Sequence, residues 1–149
     1  VAEGLPFADT LAAVAAVADV PEALSAAAES GVASLEDVQA AFPAAARAAL
    51  PVALRESAGD SAVDRFTAFV QGQVGGRAVA PREGDNPDAV LSRAQAAVSD
   101  GDLETALSEI SALPEGALGE MAGWIADAEA RTAVVTALES VAAAVTGAN

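Results

Sequence analysis

From Pro114 onward, apolar and small side chains recur at alternating intervals of three and four: Leu118, Met121, Ile125, Ala128, Thr132, Val135, Leu138, Ala142 and Val145. A period near 3.6 places them on one stripe of an α-helix. The spacing predicts one long final helix whose stripe forms the seam of an antiparallel bundle or coiled coil. Trp124 falls beside this stripe, so it is expected to be half buried, as a bundle anchor or as a partner contact.

The same period recurs upstream in shorter pieces divided by Pro and Gly. A first helix is predicted from Pro6 through Leu11, Val14 and Val17, since Pro suits a first turn. Pro21 opens a second, and Gly31 is placed to end it as the residue after the C-cap. Ser34 with Asp37 resembles a capping box, with Asp in place of the usual Glu, and predicts a helix through Leu35, Val38 and Phe42. The pattern continues from Phe42 to Glu56, with a restart at Pro43 and a kink at Pro51. Gly59 closes this half. Asp60 or Ser61 is placed to cap a helix carrying Val63, Phe66, Val70 and Val74, which ends at Gly75–Gly76. Arg77 to Asn86 reads as a hinge or loop. Asn86 then precedes Pro87 as an N-cap, turning Leu91, Ala94 and Val98 inward. Asp100-Gly101-Asp102 reads as a tight turn into a helix with Leu103, Ala106, Leu107 and Ile110.

The predicted class is therefore all-α: an antiparallel helical bundle over residues 60–146, preceded by several short helices over residues 1–58. Composition agrees. Of 149 residues, 53% are hydrophobic, with four Phe, one Trp and no Tyr, and Ala and Leu favour helix over strand.

The chain has no Cys and no His, and its seven basic residues are all Arg. Thiolate and imidazole chemistry and zinc sites of Cys and His are thereby removed. The Ser residues have no histidine base and no nucleophile elbow. Gly72–Gly76 (GQVGG) fits neither a dinucleotide fingerprint nor a P-loop, and no Lys exists to reach a phosphate. Asp85 with Asp88, and Asp100 with Asp102, sit where helices begin, which favours caps over a calcium loop. No enzyme, no cofactor, no metal and no small-molecule substrate are expected.

Formal net charge is −15, which opposes nucleic-acid binding and docking of the whole surface on anionic lipid. The charge is uneven. Residues 1–39 carry seven acids and no Arg, residues 83–149 twelve acids and two Arg, but residues 40–82 carry five Arg against three acids. Only the middle segment can approach an anionic surface without repulsion. Leu11–Val20 is flanked by Asp9 and Asp19 and follows no basic region, so it is not read as a signal peptide. No stretch reaches the roughly 20 apolar residues of a membrane span. The chain opens on Val, which predicts a fragment or processed form whose membrane anchor lies elsewhere.

Within that middle segment Phe42, Ala46, Leu50 and Leu54 recur every four residues, with Arg47 and Arg55 near the flank of the stripe. An apolar wedge edged by cations describes an interfacial helix. It also describes a core helix whose Arg side chains snorkel to solvent. Exposure of Phe42 separates the two.

Several stretches together resemble the mitofilin family of membrane-organising proteins, in its alphaproteobacterial form. They are Leu91-Ser-Arg-Ala-Gln-Ala-Ala-Val-Ser-Asp-Gly-Asp-Leu-Glu-Thr-Ala-Leu107, Leu113-Pro114, Gly123-Trp-Ile125 and Ala128-Glu-Ala-Arg131, with Leu5-Pro-Phe-Ala8 and Phe42-Pro-Ala-Ala-Ala-Arg47 upstream. The resemblance spans about residues 5–145 and is most specific over 91–131, where Arg93, Gly101, Asp102, Leu103, Trp124 and Arg131 carry it. It implies a role in shaping membranes at crista junctions or their bacterial counterparts. It further implies location at the periplasmic face of a bacterial inner membrane, self-association, and contact with a protein partner. Anionic lipid would be bound through Phe42, Arg47, Leu50, Leu54 and Arg55, with Phe42 inserted. Ala41 stands where the family often has a basic residue. A soluble helical-hairpin interaction module of tetratricopeptide type is the rival expectation, although no 34-residue repeat is found.

Overall fold

The computed structural model describes residues 5–15, 20–57 and 84–147. These form seven helices, with no strand among the described residues: α1 (Ala8–Ala15), α2 (Glu22–Ala27), α3 (Leu35–Ser57), α4 (Pro87–Asp100), α5 (Leu103–Ile110), α6 (Glu115–Glu120) and α7 (Ala122–Gly147). The class is all-α, as expected. The helix expected between Asp60 and Val74, the Gly75–Gly76 end and most of the loop expected before Asn86 lie outside the described residues.

Two compact units result, one of residues 1–38 with 126–149, the other of residues 39–125. The division drawn from sequence at residues 58–60 lies outside the described residues.

In the first unit, Leu24, Ala27, Val134 and Ala137 form a buried cluster, edged by Phe7, Leu11, Val20, Ala23, Val32 and Val141. The Phe7 amide donates to the Ala28 carbonyl at 2.9 Å. Gly31 follows α2 at φ 76°, where its amide donates to the Ala27 carbonyl at 2.8 Å. A left-handed residue there costs glycine little and any other residue more. Arg131 Nη1 donates to the Ala33 carbonyl at 3.1 Å. The start of α3 is the predicted capping box: the Asp37 amide donates to Ser34 Oγ, and the Ser34 amide donates to Asp37 Oδ2.

In the second unit the buried side chains are Phe42, Ala49 and Ala53 of α3, Ala89, Val90, Leu91, Ala94, Ala97 and Val98 of α4, Leu103, Ala106 and Ile110 of α5, and Leu113, Ala117, Met121 and Trp124 beyond. Helices α4 and α5 pack as a hairpin. Asn86 Oδ1 accepts from the Ala89 amide at 3.0 Å, with Pro87 in the first turn. Gly101, at φ 81°, ends α4 in the left-handed region, and Asp102 Oδ1 accepts from the Thr105 amide to start α5. The caps read at Asn86 and Asp102 and the turn at Gly101 are present, whereas Asp100, expected where a helix begins, is the last residue of α4.

Two expectations fail. Pro114 does not begin a single final helix, because a break at Met121 separates α6 from α7. The Met121 amide reaches back only to Leu118, at 3.1 Å, closing a tighter turn. The expected seam is also displaced. Ala117, Met121, Trp124, Ala128, Val134 and Ala137 are buried, while Val135, Leu138 and Val145 are exposed. Trp124 therefore lies on the buried face, not beside it. In α3, by contrast, Pro43 and Pro51 both sit inside one 23-residue helix. Both are on its exposed side, where water can reach the carbonyls of Gln39 and Arg47 that lose their helical donors.

Candidate functional site

The lipid-contact residues expected on α3 do not form one face. Phe42 is 0% exposed, and its ring meets that of Trp124 edge-on, with centroids 4.9 Å apart at 77°. Leu54 is 39% exposed. Twelve residues at 100° each place Leu54 about 120° around the helix from Phe42. The interior takes Phe42, Ala49 and Ala53; the outside keeps Arg47, Leu54 and Arg55, with Leu50 between. The inserted-aromatic role expected for Phe42 is thus corrected. Its side chain belongs to the core, on the same face as Ala49 and Ala53, two and three turns on. Arg55 Nε donates to the Pro51 carbonyl of its own helix at 3.0 Å, binding its head to the last turn. What remains outside is a face of Ala44, Arg47, Ala48, Pro51, Leu54 and Arg55 that contains no acid.

The residues carrying the family resemblance have identifiable jobs within the fold. Arg93 Nε donates to Glu109 Oε2 at 2.8 Å, bridging α4 and α5, and its Nη1 donates to the Gly84 carbonyl at 2.8 Å. Gly101 supplies the left-handed turn and Asp102 the cap; Leu103 and Trp124 are buried. Arg131 ties α7 to the segment before α3 in the first unit. Hydrogen bonds from the Thr105 hydroxyl and then its amide hold Asp102 below the usual carboxylate value. The Ser34 hydroxyl and then its amide do the same for Asp37.

Two functional side chains of the scaffold escaped the sequence reading. Gln39 Nε2 donates to the carbonyls of Val98, at 2.9 Å, and Ser99, at 3.3 Å, capping the end of α4 from another helix. Glu56 Oε2 accepts from the Gly116 amide at 3.1 Å, in the first turn of α6. Both contacts join residues about sixty positions apart, and no local pattern announces them.

Among the described residues no polar or charged residue is buried, and no group of His, Cys, Asp and Glu is arranged to hold a metal ion. No described helix is long and apolar enough to cross a membrane. The candidate contact surfaces are the exposed side of α7 in the first unit, where Val135 is 36%, Leu138 38% and Val145 46% exposed, and, in the second unit, the outer face of α3 over residues 40–55. Comparisons with family models, curated proteins and solved structures find no match to this chain.

Proposed function

We propose that this chain is a non-catalytic helical contact domain, serving a membrane-organising protein of the mitofilin type through protein–protein association. The observation that carries this reading is an inversion of the two apolar stripes. Phe42, the side chain suited to entering lipid, is inside against Trp124. Val135, Leu138 and Val145, the side chains suited to a bundle seam, are outside. Apolar residues held on a helix surface in a row are available to another helix. The connection to crista-like membrane architecture and to the periplasmic face of an inner membrane rests on the resemblance over residues 91–131. The association itself would equally suit a soluble helical-hairpin module.

Lipid contact is the second reading, and one observation favours it: the outer face of α3 over residues 40–55, with Arg47, Leu54 and Arg55, contains no acid. Its attraction is small. Anionic lipid contributes about 1 kcal/mol per Arg, and one of these two guanidinium groups already serves its own helix.

Co-sedimentation with vesicles of 40% anionic phospholipid at low salt separates the readings. The contact-domain reading expects the protein to stay in the supernatant. Pelleting that is lost in a Arg47→Glu/Leu54→Asp/Arg55→Glu variant of unchanged helicity would transfer the function to the lipid face of α3.

A further inference from the structure

Helix α6 has little of its own to keep it helical. It spans six residues, Glu115–Glu120, far short of the roughly 12–15 that hold a helix together without tertiary help. Two of the six are glycine, each costing about 1 kcal/mol against Ala in a helix interior. Pro114 precedes it with no side-chain cap, and its last turn holds no basic residue; Glu115 in the first turn is its local support. Burial adds little. Ala117 is the one buried side chain of α6, against seven in α4 and three in α5.

Further support comes from α3. Glu56 Oε2 accepts from the Gly116 amide at 3.1 Å, satisfying a first-turn donor that the helix itself leaves open. The approach is so close that a β-carbon at Gly116 would run into the Glu56 carboxylate. Gly119 differs. Nothing lies within 4 Å of where its β-carbon would be, and its φ is not positive, so neither space nor dihedral angle demands glycine there. Its effect is to loosen α6. On either side the chain is fixed, since Leu113 and Met121 are both buried.

We infer that residues 114–120 form a strap between the Leu113 and Met121 anchors, which opens while the α4–α5 hairpin stays folded, with Glu56 as its latch. Opening breaks the Glu56–Gly116 hydrogen bond, takes Ala117 out of the core and frees a carboxylate in the last turn of α3. Segments with few buried contacts and exposed backbone hydrogen bonds are the ones that open below the global unfolding free energy. The strap lies within the second unit and does not depend on what the outer side of α7 contacts.

Amide exchange read residue by residue on the whole chain tests the strap. In α6 the Gly116 amide donates to Glu56 and the Leu118 amide to the Pro114 carbonyl, both at 3.1 Å. Both should exchange faster than the interior amides of α4, through an opening that low urea barely accelerates because it exposes little surface. Glu56→Ala should speed exchange at Leu118 about two- to tenfold, as the loss of one hydrogen bond implies, and leave α4 unchanged. Glu56→Gln keeps an accepting oxygen and should stay near the parent. Gly119→Ala should slow Leu118 about two- to fivefold through helix propensity alone. Exchange at Leu118 with the urea dependence of α4 would mean that α6 opens only with the whole unit, and would overturn the strap. A Glu56→Ala effect of equal size in α4 and α6, or none in α6, would overturn it as well.

Discussion

The edge of the Phe42 ring meets the Trp124 ring at 4.9 Å and 77°, joining α3 to the first turn of α7 inside one compact unit. Aromatic pairs prefer this geometry, because the positive ring edge faces the negative π cloud. The contact turns the chain's most surface-suited aromatic into a core residue, and gives its only indole a neighbour that reports on packing.

Truncating Phe42 to Ala should therefore destabilise the second unit by about 3–5 kcal/mol, the range for deleting a buried Phe. Urea unfolding followed by Trp124 fluorescence measures it. A loss below ~1 kcal/mol would mean that Phe42 is not in the core. Phe42→Asp is expected to unfold the unit, so a failure of that variant to bind vesicles would carry no information about insertion.

Gln39 closes the carbonyl end of α4 from another helix. Gln39→Ala should cost about 1 kcal/mol, the net worth of a typical hydrogen bond, and speed amide exchange in the α4–α5 hairpin. Gln39→Glu should fare worse, since a carboxylate cannot donate to a carbonyl and adds negative charge at a helix C-terminus.

At Gly101 the backbone holds φ 81°, a region that a β-carbon penalises by about 1–2 kcal/mol. Gly101→Ala is expected to lose that amount in chemical denaturation, and Gly101→Asn less. Equal losses in both would show that the position is limited by space and not by its dihedral angle.

Asp37 and Asp102 have folded pKa values below the ordinary 3.8, through bonds from Ser34 and Thr105 respectively. A depressed carboxyl pKa contributes stability that is present above the unfolded value and lost as pH falls through the folded one. Stability should accordingly decline from about pH 4 downward, and Asp37→Asn/Asp102→Asn should flatten that decline. An acid limb unchanged in the double variant would assign it to other carboxylates.

Capping is where the sequence was most legible. Ser34 with Asp37, Asn86 before Pro87, Gly101 and Asp102 each satisfy backbone groups within a few residues of themselves, so their function depends on local chemistry alone. Face assignment was less legible. Phe42 with Leu54, and Val134 with Val135, belong to patterns that several helical stripes fit equally, because an Ala-rich helix offers apolar residues on almost every side.

Local spacing and end chemistry thus determined the all-α class and most helix starts. Tertiary structure decided which stripe of each helix is the interior. It placed Phe42 on Trp124, brought Gln39 to the end of α4, and left Val135, Leu138 and Val145 outside. The reason is that burial is a property of pairs of surfaces. When alanine makes many faces of one helix acceptable, the large side chain that finds a matching gap on a distant segment sets the rotation of both.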